Sequence, residues 1–374
     1  MIGNHAFSLL ADAWVKGIRS FDVKKAVEAV VHDANTQGPD NCRAIGRDGV
    51  EFYNKLGYLP YSTVKGEPRV REATAKTLEF AYDDYCAAIL ARAAGRQVDA
   101  QQFLRKAMNY TNVLDAKTGF VRGRKVDGSW CEPFDPTEWG GPFTEGNSWH
   151  WTWSVFHDIP GLVGLLGGES AFAAKLDAVF TSPNTFNFGS YGGVIHEMTE
   201  MAALDLGQYA HANEPIHHMV YLYNYAGQPW KTQSRVRLVM NKLYQATPDG
   251  LCGDEDTGQM SAWYVFSALG FYPVCPGTTA YDIGSPLFQK ATLNLAGGKT
   301  FVISAANNGP QRVYIRGAAL NGQPFARTFL SHEEITQGGE IVFDMTSAQD
   351  YKWATAPEAR PPSPMRQLRA AVGN

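Results

Sequence analysis

The sequence predicts a mainly α chain: an α/α toroid over residues 1–285, a small antiparallel β domain over 286–350 and a Pro-rich tail over 351–374. Three observations predict it. Apolar residues recur at helical spacing through the first 285 residues, in paired segments joined by long loops that gather at one end. Near residue 286 the apolar period switches to two. Between them, residues 117–165 form a Gly-, Pro- and Trp-rich insertion too long for a bundle turn, the kind of loop that carries function.

The helical segments fall at about 5–18, 23–35, 69–94, 99–114, 168–180, 196–210, 214–226, 230–246 and 257–269. In the third, Leu78, Tyr82, Tyr85, Ile89 and Leu90 recur near the helical period and Gly95 supplies the stop. Asp99 is placed to cap the next helix. Pro215 suits the first position of the 214–226 helix, which puts Asn213 and Glu214 at its cap. Beyond residue 286, "KATLNLA", "TFVISAA", "RVYIRGAAL" and "GEIVFDM" alternate apolar and polar residues between Gly or Asn turns. The tail "APEARPPSPMRQ" reads as loose.

Composition narrows the function. A chain of 374 residues that is 44% hydrophobic can bury a sizeable core. A formal charge of −4 gives no electrostatic case for nucleic acid or an anionic membrane. No apolar run is long enough to span a bilayer. The start, "MIGNHAFSLLADAW", reads as an amphipathic helix and not as a signal peptide. Cys42, Cys86, Cys131, Cys252 and Cys275 are scattered without CxxC spacing, which argues for buried free thiols over a zinc site and leaves the compartment open. Trp130, Trp139, Trp149, Trp151 and Trp153 cluster in the insertion, where flat rings with a polar edge suit sugar faces or half-buried structural roles equally.

Four stretches carry candidate chemistry. "GDEDTGQM" sets three carboxylates before an apolar helix. In an extended segment Asp254 and Asp256 face the same side, and a helix N-terminus favours an ionised Asp256, as a base requires. Asp256 and Gln259 also fit a capping box. In "TEGNSWHWTW", Glu145 stands among Phe143, Trp149, Trp151 and Trp153, an apolar surround that would hold a proton for acid catalysis. The plainer alternative pairs Glu145 with Arg122 or Arg124. A protonated acid opposite an ionised base is the pattern of glycoside hydrolysis, with the two carboxyls roughly 6.5–9.5 Å apart when the enzyme inverts. In "GGVIHEMTEM", His196, Glu197 and Glu200 share a helix face, or simply compensate the helix dipole. Asn213 and Glu214, with the two aspartates, offer oxygen ligands for a hard cation such as calcium. The spacing of His211, His217 and His218 does not make a zinc motif.

At these residues the sequence resembles glycoside hydrolase family 92, the calcium-dependent exo-acting α-mannosidases. The resemblance rests on "MIGNHA", "GYLPYS", "FDPTEWGGPFTEGNSWHWTW", "GGVIHEMTEM", "GQYAHANEPIHHMVYLYNYAGQPWKTQ", "PDGLCGDEDTGQMSAWYVFSALGFYPVCPG" and "YDIGSPLF", which span about residues 1–345. It implies an inverting exo-α-mannosidase acting on terminal α-1,2-linked mannose of a glycan. Glu145 would be the general acid, and Asp254 and Asp256 would position and deprotonate the attacking water, Asp256 foremost. His196 and Glu197 would contact the leaving-side sugar, with Trp149 and Trp139 as further substrate contacts. A Ca2+ ion would be held by Asn213, Glu214 and Asp256. A periodic place outside the cytoplasm, periplasmic or secreted, is implied by the same likeness.

The likeness also departs. Members of that family carry a β-sandwich domain ahead of the barrel, and the first barrel helices have no counterpart here, so the toroid is expected to be an incomplete (α/α)6 arrangement. Self-association, or a separate β-sandwich portion, would then cover apolar surface. Two other readings stay open: a truncated, inactive carbohydrate-binding remnant, and an α/α-toroid glycosidase acting on other sugars.

Overall fold

The computed structural model describes residues 2–38 and 46–372; Cys42 lies outside them. The chain is mainly helical, with two small sheets near its C-terminal end and a short β-hairpin at Leu114–Val121.

The helix Ala73–Ala93 is the spine. Nearly every residue on it is buried, from Ala73 to Ala91, so neighbours enclose it on all sides. Gly95, at φ 76°, ends it in the left-handed conformation that glycine adopts without strain. Helix Ala6–Val15 and helix Gln97–Lys106 pack along it through Phe7, Ala11, Ala87, Ile89, Phe103 and Leu104. Asp22 caps Val23–Asp33 by accepting from the backbone N–H of Lys24 at 3.0 Å and Lys25 at 3.2 Å. Asp99 does not cap its helix: it sits in the first turn and pairs with Arg96 at 2.5 Å.

A second apolar core joins Trp153, Phe172, Leu176, Tyr221, Val236 and Trp263. It is formed by Glu169–Thr181, Pro229–Leu243, Gln259–Leu269 and two 3₁₀ runs, Glu214–Ile216 and Met219–Ala226. The predicted α-helix at 214–226 is thus a pair of tighter turns. Asn213 closes the first with an amide oxygen on Glu214 N, and His217 and His218 turn their rings back onto main-chain carbonyls of distant segments. Helix His196–Leu204 ends earlier than the predicted 210 because Asp205 turns left-handed at φ 50°.

The C-terminal sheet runs Lys290–Asn294, Thr300–Ser304, Gly339–Thr346, Tyr314–Leu320, Gln323–Pro324 in spatial order. Its pairs are antiparallel except one: Gly339–Thr346 lies parallel to Thr300–Ser304. The expected all-antiparallel domain is therefore mixed. A second sheet of Phe271–Tyr272, Ala280–Ile283 and Phe329–Ser331 shares its core, with Phe271 and Ile283 packed beside Phe301, Ile341 and Phe343.

The tail is not loose. Trp353, Ala354 and Ala359 join the β core, and Pro364–Val372 forms a helix. Its Met365, Leu368 and Val372 are buried in the same core as Phe103 and Leu104. Burying three such side chains contributes about 1.5–3 kcal/mol each, enough to outweigh the proline-rich approach.

Candidate active site

Three of the four segments with candidate chemistry meet at a cavity of about 760 Å³; the segment of His196, Glu197 and Glu200 does not line it. Its wall includes Thr144, Glu145, Asn213, Glu214, Asp256, His217, His218, Trp151 and Trp263.

Glu145 is set by a short loop that is tied on three sides. Downstream, Asn147 and His150 cap the turn Ser148–Trp151: Asn147 Oδ1 accepts from Trp149 N at 2.9 Å, and His150 Nδ1 accepts from Asn147 N at 3.1 Å. Burial pushes the His150 imidazole down to about 3, so it stays neutral and can accept. Upstream, Trp151 Nε1 donates to the carbonyl of Thr144 at 2.8 Å. At the residue itself, Glu145 N donates to the Tyr191 hydroxyl at 2.8 Å, and its carbonyl accepts from Asn213 Nδ2 at 3.0 Å. These ties hold Glu145 at φ 43°. A left-handed non-glycine residue costs on the order of 1–2 kcal/mol, and such residues concentrate at functional sites. Glu145 is exposed and shares the cavity wall with Trp151 alone of the neighbouring tryptophans, so they do not enclose it. The arginine alternative fails: Arg122 pairs with Asp115 and Glu132, and Arg124 donates to the carbonyls of Asn112 and Gly128.

The three consecutive carboxylates have three destinations. Glu255 serves the helix, accepting from Ser261 N at 3.1 Å and Ser261 Oγ at 2.7 Å. Asp256 lines the cavity. Asp254 is largely exposed and lies 3.9 Å from His196 Nε2. The predicted capping box is absent, because the residue before helix Gln259–Leu269 is Gly258, with no side chain to cap. The extended geometry expected at 254–256 is also absent: Asp256, Thr257 and Gly258 turn left-handed in succession, at φ 42°, 59° and 93°. That twist sends Asp254 and Asp256 to different places.

Asn213 and Glu214 stand between the two sides. Asn213 Nδ2 also reaches Glu145 Oε2 at 3.4 Å, while the Glu214 side chain hydrogen-bonds Asp256. Burial, then the contact with Asp256 and the charges of Asp256 and Glu145, push the Glu214 carboxyl up to about 8. This is the signature of too much negative charge in one place. Two carboxylates and an amide oxygen are the donor types of a hard-cation site, and a cation would relieve that excess. The described residues hold no cluster of three or more His, Cys, Asp and Glu side chains with metal-binding geometry. The histidines do not form one. His211 bonds the phenols of Tyr209 and Tyr244, His217 bonds the carbonyl of His211, and His218 bonds that of Trp153.

His196 is exposed and surrounded by acids: Glu200 at 3.1 Å, Glu197 at 3.4 Å and Asp254 at 3.9 Å. The hydrogen bond to Glu200, and then the charges of Glu197, Glu200 and Asp254, raise its pKa. The shared helix face predicted for these residues is realised, and it comes against the Asp254 turn.

Two expected sugar contacts are placed elsewhere. Trp139 is fully buried among Met198, Met201 and Ala210, with its ring edge-on to His150 at 4.9 Å, so no sugar face can reach it. Trp149 is half-buried against Phe120, ring centroids 4.7 Å apart, and does not line the cavity. Trp151 and Trp263 border the cavity, but at 3% and 0% exposure they back its wall and present little open ring face. The sequence offered Gln259 only as a capping partner and gave no site role to Ile2, His5, Glu79 and Tyr82, which also line the cavity. Glu79 had a legible signal, an acid on the most buried helix of the chain.

Comparison with known proteins identifies the family. A family model described as the glycosyl hydrolase family 92 catalytic domain matches residues 1–347. The structure of a family GH92 inverting mannosidase from Bacteroides thetaiotaomicron superposes with a TM-score of 0.86 at 55% identity, over 96% of this chain and 48% of that one. A family GH92 α-mannosidase from the same organism, in complex with mannoimidazole, gives a TM-score of 0.85 at 36% identity, over 97% and 46%. An uncharacterized secreted glycosidase of Arthroderma benhamiae is 28% identical over 392 residues, 96% of this chain and 47% of the relative. The chain thus spans about half the length of the relatives it matches.

Proposed function

The chain belongs to glycosyl hydrolase family 92, and from that premise we propose that it is the catalytic portion of an inverting exo-α-mannosidase that removes terminal α-1,2-linked mannose from glycans. The observation that carries this reading is the convergence of Glu145, Glu214 and Asp256 on one cavity, with Asn213 bonded to the first and Glu214 to the last.

In this reading Glu145 protonates the glycosidic oxygen. A sugar seated in the cavity covers it and removes its water, which favours the protonated acid. Asp256 accepts the proton of the attacking water from the other side; Asp254 stands beside His196 off the cavity wall and is left to the leaving-side end of the site. An inverting pair needs roughly 6.5–9.5 Å between its carboxyls to admit the water. The backbone ties at Tyr191 and Asn213 keep Glu145 from collapsing toward Glu214. His196 and Glu197 hydrogen-bond the leaving-side sugar. Asn213, Glu214 and Asp256 are the residues that would hold Ca2+, and a bound calcium ion would orient and polarise the sugar hydroxyls. The helices read as part of an incomplete α/α toroid over 1–285, with 286–350 as the β domain; in the tail, Trp353, Ala354 and Ala359 pack on the β core and helix Pro364–Val372 on the helical one. The compartment that fits is the periplasm or the cell exterior, in keeping with the secreted relative.

The direct experiment is release of mannose from α-1,2-mannobiose with the product followed by NMR, in added calcium and after chelation. The β anomer should appear first, and chelation should stop the reaction. Initial α-mannose, or full turnover without calcium, would contradict the reading.

Apolar side chains left uncovered favour a second reading, a carbohydrate-binding portion without turnover of its own. Helix Ala6–Val15 leaves Leu9 71% exposed, and Ile18 beyond it is 60% exposed. A further portion of the protein, or a second copy, would cover them. Mannose binding without turnover, in excess calcium, would select that reading.

A further inference from the structure

The loop that carries Glu145 is a wall between two hollows. Thr144, Glu145 and Trp151 face the large cavity. Pro142, Phe143 and Ser148 face a second one of about 280 Å³. That volume is below the roughly 300–1,000 Å³ of sites that enclose drug-sized ligands, and suits a single sugar ring.

Its lining sets apolar rings beside fixed polar groups. Arg122 is only 4% exposed, donates to Asp115 at 3.1 Å and to Glu132 at 2.8 Å, and has the Phe134 ring 4.2 Å from its guanidinium carbon. Glu132, Asp135 and Glu138 stand on the exposed rim, and Tyr61 adds a second ring. Burial, together with the charge of Asp135, moves the Glu138 carboxyl up. An anion would meet three acids here while Arg122 is already paired. An inorganic cation would find Glu132 committed to Arg122 and Asp135 committed to Thr137. A neutral polyol instead finds acceptors for its hydroxyls and ring faces for its C–H groups.

The position adds direction. The segments that border this cavity adjoin the leaving side of the proposed reaction: Gly141 N donates to Ser190 Oγ, and Tyr191 accepts from Glu145 N. The same 187–191 stretch leads into His196.

We propose that the smaller cavity is an outer leaving-side subsite, which takes one hexopyranose ring of the glycan beyond the sugar whose bond is cut; this rests on the mannosidase reading above. The test compares an aryl α-mannoside, α-1,2-mannobiose and α-1,2-mannotriose on the wild type, Phe134→Ala and Glu138→Gln. Only the trisaccharide places a ring in the outer site. The wild type should prefer it to the disaccharide by roughly tenfold, the scale of one stacked ring. Both variants should lose that preference through KM, with unchanged kcat/KM on the two shorter substrates. Equal losses on all three substrates, or none on the trisaccharide, would overturn the subsite. If the wild type cleaves nothing, the mannosidase reading fails by itself. The cavity is then judged by saturation-transfer NMR with α-1,2-mannobiose: a signal abolished by Phe134→Ala retains a sugar site there, and a signal indifferent to it removes one.

Discussion

The side-chain amide of Asn213 donates to the main-chain carbonyl of Glu145 at 3.0 Å, across 68 residues of sequence. With the Tyr191 hydroxyl on the N–H of the same residue, it fixes the acid from its backbone and leaves the carboxyl free to reach substrate.

Tyr191→Phe therefore removes one anchor without touching a charged group. Losing a hydrogen bond of about 1 kcal/mol in the site should lower kcat about fivefold. The melting temperature should move little, since Tyr191 is half exposed. Steady-state kinetics beside a thermal scan checks both; a large stability loss with unchanged kcat would contradict the anchoring role.

Glu145→Gln takes away the proposed proton donor. Turnover of α-1,2-mannobiose should fall by about 10²–10⁴. An aryl mannoside with an activated leaving group needs little protonation and should lose far less. Equal losses on the two substrates would count against the acid assignment.

His196→Ala should weaken hydrolysis of the disaccharide more than that of the aryl mannoside, because the imidazole is assigned to the leaving-side sugar. A loss of roughly tenfold in kcat/KM on the disaccharide corresponds to about 1.4 kcal/mol. The ratio of the two kcat/KM values is the measurement.

The Glu214 carboxyl, pushed up to about 8, holds its proton at neutral pH. A cation that binds there must displace it. Calcium affinity should rise as pH is raised toward about 8 and level off above it, with close to one proton released per ion at pH 7. Calorimetry in buffers of different ionisation enthalpy reads the proton directly, and Asp256→Asn should reduce the release.

His150 gives a stability test. Its imidazole is pushed down to about 3 in the folded protein, against an ordinary 6.5, so the unfolded chain binds a proton that the folded chain refuses. Its stabilising contribution is present above pH 6.5 and is lost as pH falls toward 3. Between pH 6 and 4 the slope of unfolding free energy against pH should be smaller in His150→Gln than in the wild type by about 1.4 kcal/mol per pH unit. Urea titrations at a few pH values give the two slopes.

Much of the site was legible because its chemistry is local. "TEGN", "ANEP" and "GDED" each put the right atom types in a loop or at a helix start, and three of those four assigned acids, Glu145, Glu214 and Asp256, line the cavity. The exact cap was not legible, since the left-handed turns at Asp256 and Thr257 hand the helix to Gly258 and leave Glu255 to satisfy Ser261. Nor was the division of the tryptophans: which rings border the cavity depends on what packs around them, and Trp139 has Met198 and Met201 there while Trp151 has the cavity. The parallel pairing of Gly339–Thr346 with Thr300–Ser304 and the docking of helix Pro364–Val372 were hidden for the same reason. An alternating strand looks alike with either partner direction, and nine residues of helix declare themselves only through the core they meet.

Asp256 and Thr257 keep a backbone shape that their own side chains oppose. Glycine at Thr257 would relax the bend and make the folded chain easier to keep, while freeing the neighbouring carboxylate to wander from the water it must deprotonate. Durability and turnover therefore pull against each other within two residues, and improving one there is expected to cost the other.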